Sequence, residues 1–321
     1  MSSNEDRSEP LLAAGTPDPK EAEYTQIIIS RLKKQLDKVY GSKDMLRQFH
    51  AKMHGLLDAE LIVAPELDDR LRQGLFTKET TYSCLIRLSN ASSVYGRDRK
   101  RAIRGCAIRI QNEDKGPLQD FILTTNPIMA PGDVRSLKNS ILALTGHIGE
   151  KLTYFCNPAN WSDIWKMYKA TRECTDLLNE SYFSGSPYRF GEHQAVKFCI
   201  KPRTHFGYES DNQSSEHYLR EVLVHDLAES EAQFDFMVQF SEDSKRQPID
   251  DTSKEWKSQF HRVGTLKIPV QHFDTEARRT NAENMQFNPW NGLPEHQPLG
   301  AINRVRREVY STLSAYRKSK N

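Results

Sequence analysis

Apolar residues near the start of the chain recur at a helical period. From residue 21 to residue 40 they occupy every third or fourth position, with lysines and arginines on the opposite side. These apolar residues are Ile27, Ile28, Leu32, Leu36 and Val39. Their spacing predicts an amphipathic helix. Residues 1–20 carry prolines among charged residues, which predicts a disordered arm. We therefore expect one folded domain over residues 21–321.

After this helix the apolar positions mostly follow period two or form short runs, as is typical of β-strands. The predicted strands cover residues 56–63, 81–89, 104–111, 118–125, 193–202, 232–240 and 263–270. Helical spacing returns at residues 133–144, 158–179, 214–228 and 301–318. An extended segment rich in Pro and Gly, residues 287–300, leads into the last of these helices.

The order of these segments favours an α+β fold. Strands are interrupted once by a helical insert and are followed by a final helix, which predicts one antiparallel β-barrel of about seven or eight strands with attached helices. Strands and helices do not alternate regularly, and neither GxGxxG nor GxxxxGK[ST] occurs. A doubly wound nucleotide-binding sheet is therefore disfavoured.

Composition and charge narrow the functional classes without identifying a chemistry. The chain has 45 Lys and Arg against 43 Asp and Glu, a net charge of +2. A nucleic-acid-binding domain usually shows a clearer basic excess, so we expect no nucleic-acid partner. No run of about eighteen apolar residues occurs, which predicts no membrane span. The five cysteines are scattered and the first residues are acidic and polar, so we expect free thiols and a cytoplasmic location.

Two histidines four residues apart, His50 and His54, could share a metal ion if they lay on one helix. The sequence offers no obvious third ligand for them and no glutamate base between them. The chain also lacks the GxSxG and HExxH motifs of hydrolases and zinc peptidases. A metal ion bound directly by histidines is therefore disfavoured.

The last predicted helix carries polar residues beside its apolar stripe. The stripe consists of Ile302, Val305, Val309, Leu313 and Tyr316. Arg306 lies one turn before Tyr310, so its guanidinium can reach the phenol oxygen and favour a phenolate, which can be an axial ligand of ferric haem. Arg317, two turns further on, can meet a haem propionate. The alternative is that these arginines only solvate the helix end and complement its dipole.

A second polar group lies near the start of the strands. Arg47 and His50 are three residues apart, and Ser89 lies on a predicted strand with Arg87 two positions before it on the same face. Such a strand can provide an arginine for a carboxylate and a hydroxyl that orients a histidine. An acid–base histidine needs this orientation, because one ring nitrogen faces the substrate while the other is held.

Taken together, these segments resemble those of the haem catalases. The matching segments are Arg47-x-x-His50-Ala51-Lys52, Ile86-Arg87-Leu88-Ser89, Arg104-Gly105-Cys106-Ala107-Ile108-Arg109-Ile110, and Arg306-x-x-x-Tyr310 followed by Arg317. The ending over residues 287–310 is similar to the small catalase-related branch, which includes minimal catalase-like peroxidases and coral-type allene oxide synthases. The resemblance implies an eight-stranded antiparallel barrel that binds haem b, with the iron ligand on the C-terminal helix.

By this resemblance, each matched residue takes a role at the haem. His50 is the distal acid–base residue, Ser89 is its hydrogen-bond partner, and Tyr310 is the axial iron ligand. His54 is a competing candidate for the distal histidine, although the offset to Ser89 favours His50. The arginines matched to haem-binding positions are Arg47, Arg87 and Arg317 for the propionates, and Arg306 for the tyrosine.

Two positions depart from the catalase pattern. Catalases carry a distal asparagine in a G-N-N-T-P segment, whereas this chain has Leu-Thr-Thr-Asn-Pro over residues 123–127. Asn126 takes the catalytic role if the loop shifts register, and Thr124 holds the ungapped position. Phe49 precedes the distal histidine, where catalases have valine and allene oxide synthase relatives have threonine.

The resemblance implies a haem-dependent oxidoreductase of catalase or peroxidase type that processes hydrogen peroxide or an organic hydroperoxide. One alternative is a lyase or isomerase of allene oxide synthase type, which rearranges a fatty-acid hydroperoxide. A second alternative is a haem carrier or sensor without catalytic activity. A homodimer is the expected assembly, because the chain is short for a tetrameric catalase.

Overall fold

Antiparallel strands form the centre of the molecule. The computed structural model describes residues 18–41, 45–91, 96–112 and 116–320. The strands are β1 (Met53–Val63), β2 (Thr81–Asn90), β3 (Arg104–Asn112), β4 (Gly116–Thr124), β5 (Tyr182–Phe183), β6 (Tyr188–Phe190), β7 (Gln194–Pro202), β8 (Ala232–Phe240) and β9 (Phe260–Ile268). The predicted arm over residues 1–20 lies outside the described residues as far as residue 17.

The strands pair around a closed circuit. β1 to β4 form an antiparallel meander, and β1 also pairs with β9, which continues through β8 to β7. The short strand β5 closes the barrel, because Phe183 pairs with Thr124 of β4 and Tyr182 pairs with Ile200 of β7. β6 lies along the same edge of β7, so β5 and β6 together act as one interrupted strand. The predicted eight-stranded antiparallel barrel is therefore confirmed.

Period-two patterning builds the core inside this barrel. Along β8, Phe234, Phe236 and Val238 are buried while the residues between them are partly exposed. Phe236 meets Phe121 of β4 edge to face, with ring centroids 5.1 Å apart. Such contacts stabilise a core beyond the area that they bury. The inward face of the barrel is therefore filled by side chains.

Helices flank the barrel. They are α1 (Glu21–Tyr40), α2 (Val134–Thr145), α3 (Ile148–Phe155), α4 (Trp161–Ala170), α5 (Tyr218–Glu229), α6 (Glu276–Asn284) and α7 (Ala301–Lys318). Buried residues of α1, α2 and α7, among them Ile28, Val134 and Ile302, pack together in a second apolar cluster. None of the helices in the described segments is long and apolar enough to cross a bilayer.

The structure corrects two helix predictions. The helix predicted over residues 158–179 is a short 3₁₀ turn followed by α4, which ends at Ala170. Its predicted apolar stripe does not mark a buried face, because Trp161 and Trp165 are exposed. The helix predicted over residues 214–228 begins only at Tyr218. α6 was not predicted, because the sequence EARRTNAEN contains no apolar stripe.

Candidate functional site

A cavity of about 420 Å³ lies between α7, α1 and the barrel strands β2, β3 and β4. Its volume is in the range of small-molecule and cofactor sites. The loops before β1 and after α6 complete its wall. Of the residues singled out in the sequence, those that line it are Arg47, Phe49, His50, Arg87, Ser89, Tyr310 and Arg317. Residues from both ends of the chain therefore meet in one place.

The loop before β1 holds His50 in a defined orientation. Its backbone has a positive φ of 59°, which is uncommon for a residue other than glycine. Nδ1 of the imidazole lies 3.0 Å from Oγ of Ser89, and Arg87 donates a hydrogen bond to the His50 carbonyl at 2.9 Å. The ring lies against the backbone of Gly105, where a Cβ atom would collide with it. Ser89 therefore fixes the orientation of the imidazole, and Gly105 allows the ring to pack closely against the backbone of β3.

The surroundings of His50 favour its neutral form. Burial, followed by the positive charges of Arg87, Arg306 and Arg47, lowers the pKa of His50 to about 3. A neutral imidazole donates through one ring nitrogen and accepts through the other. With Nδ1 held by Ser89, no hydrogen bond within the described segments reaches Nε2. This second nitrogen is the one placed to exchange a proton with a ligand.

Helix α7 joins Tyr310 to a buried arginine, as the sequence spacing predicts. Nη2 of Arg306 lies 3.3 Å from the Tyr310 hydroxyl oxygen. The other end of the guanidinium is held by Asn303 at 3.0 Å and by Ser186 at 3.2 Å. A fixed positive charge beside a phenol oxygen stabilises negative charge on that oxygen. The Tyr310 oxygen therefore lies beside a buried positive charge that is held in place by Asn303 and Ser186.

Three arginines at one end of the cavity surround a single acidic residue, Glu283 of α6. Arg47 makes an ion pair with its carboxylate at 2.9 Å, and Arg87 approaches the same carboxylate at 3.6 Å. Arg317 donates to the Glu283 backbone carbonyl at 3.2 Å. Burial and the nearby charge of Arg87 lower the pKa of Arg47 to about 9. We call these three arginines the arginine cluster; two of them, Arg47 and Arg87, share the Glu283 carboxylate, and all three can bind further carboxylates.

Glu283 was not predicted from the sequence. Its helix contains no apolar stripe, and no motif around it signals a site. The carboxylate meets Arg47 and Arg87 only through the three-dimensional fold, because those arginines lie on the loop before β1 and on β2.

His54 lies outside the cavity, in a sealed polar network. Its Nε2 atom is 2.9 Å from Asn90, and its Nδ1 atom is 3.6 Å from Asp98. Asp98 also pairs with Lys52 at 2.6 Å, and Arg104 donates to Asn90 at 2.6 Å. All five side chains are buried. Of the two candidate histidines, His50 is the one that the structure brings to the cavity.

The two distal-loop candidates are not among the described residues that line the cavity. The amide of Asn126 donates to the carbonyl of Ile128 at 2.7 Å. The hydroxyl of Thr124 lies 3.4 Å from the carbonyl of Asn126. The structure therefore gives both side chains local backbone partners, and the catalytic role of Asn126 stays a prediction.

The described residues contain no cluster of three or more His, Cys, Asp or Glu side chains that could hold a metal ion. A metal-containing cofactor fits the donor set better than a bare ion. Tyr310 offers one phenol oxygen, the arginine cluster offers cations for carboxylates, and much of the remaining wall is apolar, including Ile122, Phe287 and Leu313. This combination matches the donor set of an iron porphyrin with two propionates.

The barrel with its helices is similar to solved catalase structures. A fungal catalase matches with a TM-score of 0.67 and 17% identity, covering 86% of this chain and 59% of its own. Catalase A from Saccharomyces cerevisiae matches with a TM-score of 0.67 and 16% identity, covering 86% of this chain and 62% of its own. A bacterial catalase matches with a TM-score of 0.60 and 15% identity, covering 98% of this chain and 63% of its own.

No family model and no curated protein matches the sequence itself. At identities this low, the likeness establishes the fold alone. The chain spans about three fifths of the length of the catalases that it matches. The catalase-like fold expected from the sequence is therefore confirmed.

Proposed function

We propose that this chain binds haem and processes hydroperoxides, as a catalase or peroxidase that uses hydrogen peroxide or an organic hydroperoxide. One observation carries the proposal: a single cavity is lined by both the His50–Ser89 pair and Tyr310, whose hydroxyl is bonded to Arg306. An acid–base group and an anionic metal ligand on the walls of one cavity are the parts that haem peroxide chemistry needs.

Different residues of the cavity would bind different parts of the haem. The Tyr310 oxygen would ligate the iron, and Arg306 would stabilise the negative charge of that oxygen. The arginine cluster would bind the propionates by charge-assisted hydrogen bonds. When bound, haem supplies a ferric centre that binds and activates a peroxide oxygen.

His50 moves the proton in this proposal. Its Nε2 atom would accept the proton from the peroxide oxygen bound at the iron and deliver it to the other peroxide oxygen. The O–O bond would break heterolytically, so that the second oxygen leaves with the electron pair of that bond as water or an alcohol, and the two electrons that the remaining oxygen lacks would come from the haem. Because the pKa of His50 is lowered to about 3, the imidazolium formed on the way gives up its proton readily. Ser89 keeps the ring from turning during both transfers. Such general acid–base catalysis contributes roughly 10²–10⁴-fold.

A lyase or isomerase acting on a fatty-acid hydroperoxide is the second candidate. The observation that favours it is the largely apolar wall, to which Leu36, Ile122, Phe287 and Leu313 contribute, together with the half-exposed Phe49. An apolar wall accommodates an acyl chain. Asn126 and Thr124 are not among the described residues that add a polar group to this wall.

The test compares products from one preparation reconstituted with haemin. Oxygen release from hydrogen peroxide supports a catalase, and consumption of an electron donor supports a peroxidase. A rearranged lipid product without oxygen release supports the lyase or isomerase. His50→Ala should reduce whichever activity is found roughly 10²–10⁴-fold. Reconstituted protein that turns over no hydroperoxide would contradict the proposal and leave a haem carrier or sensor.

A further inference from the structure

The helices α3 and α4 present large apolar side chains to solvent. The exposed residues are Ile148, Leu152, Phe155, Trp161, Trp165 and Tyr168, with exposed fractions from 44% to 72%. We call this surface the aromatic face. These six are more than half of the exposed large apolar side chains in the described segments. A cluster of this kind marks an interaction surface, whereas single exposed apolar residues need no explanation.

Local contacts join the two helices into one surface. The indole N–H of Trp161 donates to the carbonyl of Phe155 at 3.1 Å, which ties the start of α4 to the end of α3. Trp165 and Tyr168 stack with ring centroids 5.8 Å apart. The rings of Trp161, Trp165 and Tyr168 surround a shallow depression. The aromatic face is therefore held in place by hydrogen bonding and stacking.

Basic residues border the aromatic face. Lys169 lies over the ring of Trp165 at 5.0 Å, and Arg101 lies over the ring of Tyr168 at 4.9 Å. Arg101 ends the run Arg-Asp-Arg-Lys-Arg over residues 97–101. The acidic side chains of α3 and α4 are already paired: Glu150 with Arg31, and Asp163 with Lys166. The border beside Trp165 and Tyr168 is therefore positively charged.

We propose that the aromatic face docks on an anionic lipid bilayer. Trp and Tyr have an apolar body and a polar tip, so they favour the level of the lipid headgroups. Lys and Arg beside them attract anionic headgroups. Surface helices with this combination lie in the plane of the interface without crossing the membrane. The inference rests on α3, α4 and residues 97–101, and it does not depend on haem or on the proposed activity.

The basic border favours an anionic bilayer over a second copy of the chain as the partner of the aromatic face. A two-fold symmetric dimer through the aromatic face would bring two identical patches together. In that contact Arg101 and Lys169 would meet no complementary charge on α3 and α4 of the other copy, because Glu150 and Asp163 are already paired there. Basic side chains that are buried without a charged partner oppose such a contact. An anionic surface instead complements the basic border.

Flotation of the purified full chain with lipid vesicles tests the proposal. We expect binding to phosphatidylcholine vesicles that contain phosphatidylserine, weaker binding to phosphatidylcholine alone, and loss of binding as salt is added. The fluorescence of the exposed tryptophans should shift to shorter wavelength on binding. Each basic residue near an anionic surface contributes about 1 kcal/mol, so Arg101→Glu with Lys169→Glu should weaken binding more than roughly tenfold.

Matched variants separate docking from loss of folding. Trp161→Ala with Trp165→Ala removes exposed rings and should abolish flotation, while Val270→Ala removes an exposed apolar residue elsewhere and should not. Lys78→Glu is the matched control for charge reversal. Flotation that is absent in the parent chain, or unchanged in both double variants, would overturn the proposal. A solution dimer that the tryptophan variants dissociate would also overturn it and assign the face to a second copy.

Discussion

His50 and His54 lie four residues apart in the sequence, yet their surroundings differ completely. His50 faces a cavity and is held through one nitrogen by Ser89. His54 lies in a sealed network with Asn90, Asp98 and Lys52. Burial lowers the pKa of both histidines, to about 3 and about 4 respectively. A shifted pKa alone therefore does not identify a catalytic residue.

The difference between the two histidines lies in their access to a ligand. His50 combines a held Nδ1 atom with an open space beside its ring, so a reacting molecule can approach it. The Nε2 atom of His54 is bonded to Asn90, its Nδ1 atom lies 3.6 Å from Asp98, and its polar neighbours are closed off from solvent. We therefore propose a catalytic role for His50 and a structural role for His54. The following changes, from the largest expected effect to the smallest, test this assignment.

Replacing each histidine should give opposite results. We expect His50→Ala to reduce hydroperoxide turnover roughly 10²–10⁴-fold while leaving the melting temperature nearly unchanged. His54→Gln should lower the melting temperature and leave the turnover of the folded protein within a few fold. Steady-state kinetics and thermal unfolding of both variants measure this contrast. Loss of turnover in His54→Gln alone would reverse the assignment.

Removing the carboxylate of the sealed network should destabilise the fold. In Asp98→Asn, buried Lys52 loses its charged partner at 2.6 Å. An uncompensated buried charge costs about 3–5 kcal/mol in the free energy of unfolding. Asp235→Asn is the control, because Asp235 pairs with Arg262 at a more exposed position and should cost less than about 1 kcal/mol. Equal denaturant midpoints for the two variants would show that the network does not stabilise the fold.

Lowering the pH should reduce the free energy of unfolding, because His50 and His54 bind protons more readily in the unfolded chain than in the folded chain. In the unfolded chain they bind protons near their ordinary pKa of 6.5, whereas in the folded chain they remain neutral down to about 3 and about 4. Their contribution to stability is therefore complete above pH 6.5 and is lost as the pH falls towards 4. Each histidine contributes a slope of about 1.4 kcal/mol per pH unit. The measurement is the free energy of unfolding of the haem-free chain, obtained with denaturant at several pH values. The dependence of this free energy on pH should be less steep in His54→Gln than in the parent chain. An equally steep dependence in both would contradict the account.

Replacing Glu283 should have the smallest effect of these changes on the free energy of unfolding. Glu283→Gln removes the carboxylate shared by Arg47 and Arg87, so the haem-free chain should lose about 1–2 kcal/mol of unfolding free energy. The positive charges that Glu283 no longer neutralises should then attract the haem propionates more strongly, which lowers the Kd for haemin in a titration. Glu276→Gln, on the exposed side of α6, is the control. Weaker haemin binding in Glu283→Gln than in Glu276→Gln would show that Glu283 supports the site instead of competing for it.

Local patterning predicted much of the barrel and the last helix. Alternating residues such as Phe234 and Phe236 predicted β8, because one face of a barrel strand is buried. The spacing of Arg306 and Tyr310 predicted their contact, since residues four apart on a helix are neighbours. The offset between His50 and Ser89 predicted their pairing only through resemblance to catalases.

Other features depend on the three-dimensional fold and have no local signal. Glu283 lies on a polar helix and meets its arginines only after the barrel closes. Trp161 and Trp165 follow a helical period that usually marks a buried face, yet no described part of the chain covers them. Periodicity shows which side of a helix is apolar, but not what lies against that side.

The absorption spectrum of the haemin-reconstituted chain tests the central claim most directly. The parent chain and Tyr316→Phe, altered two turns further along α7, should show the same high-spin ferric spectrum of tyrosinate ligation. Tyr310→Phe should lose that spectrum, because it lacks the oxygen beside Arg306. A parent chain that stays colourless after reconstitution, or a Tyr310→Phe spectrum identical to that of the parent, would contradict the assignment of Tyr310 as the iron ligand.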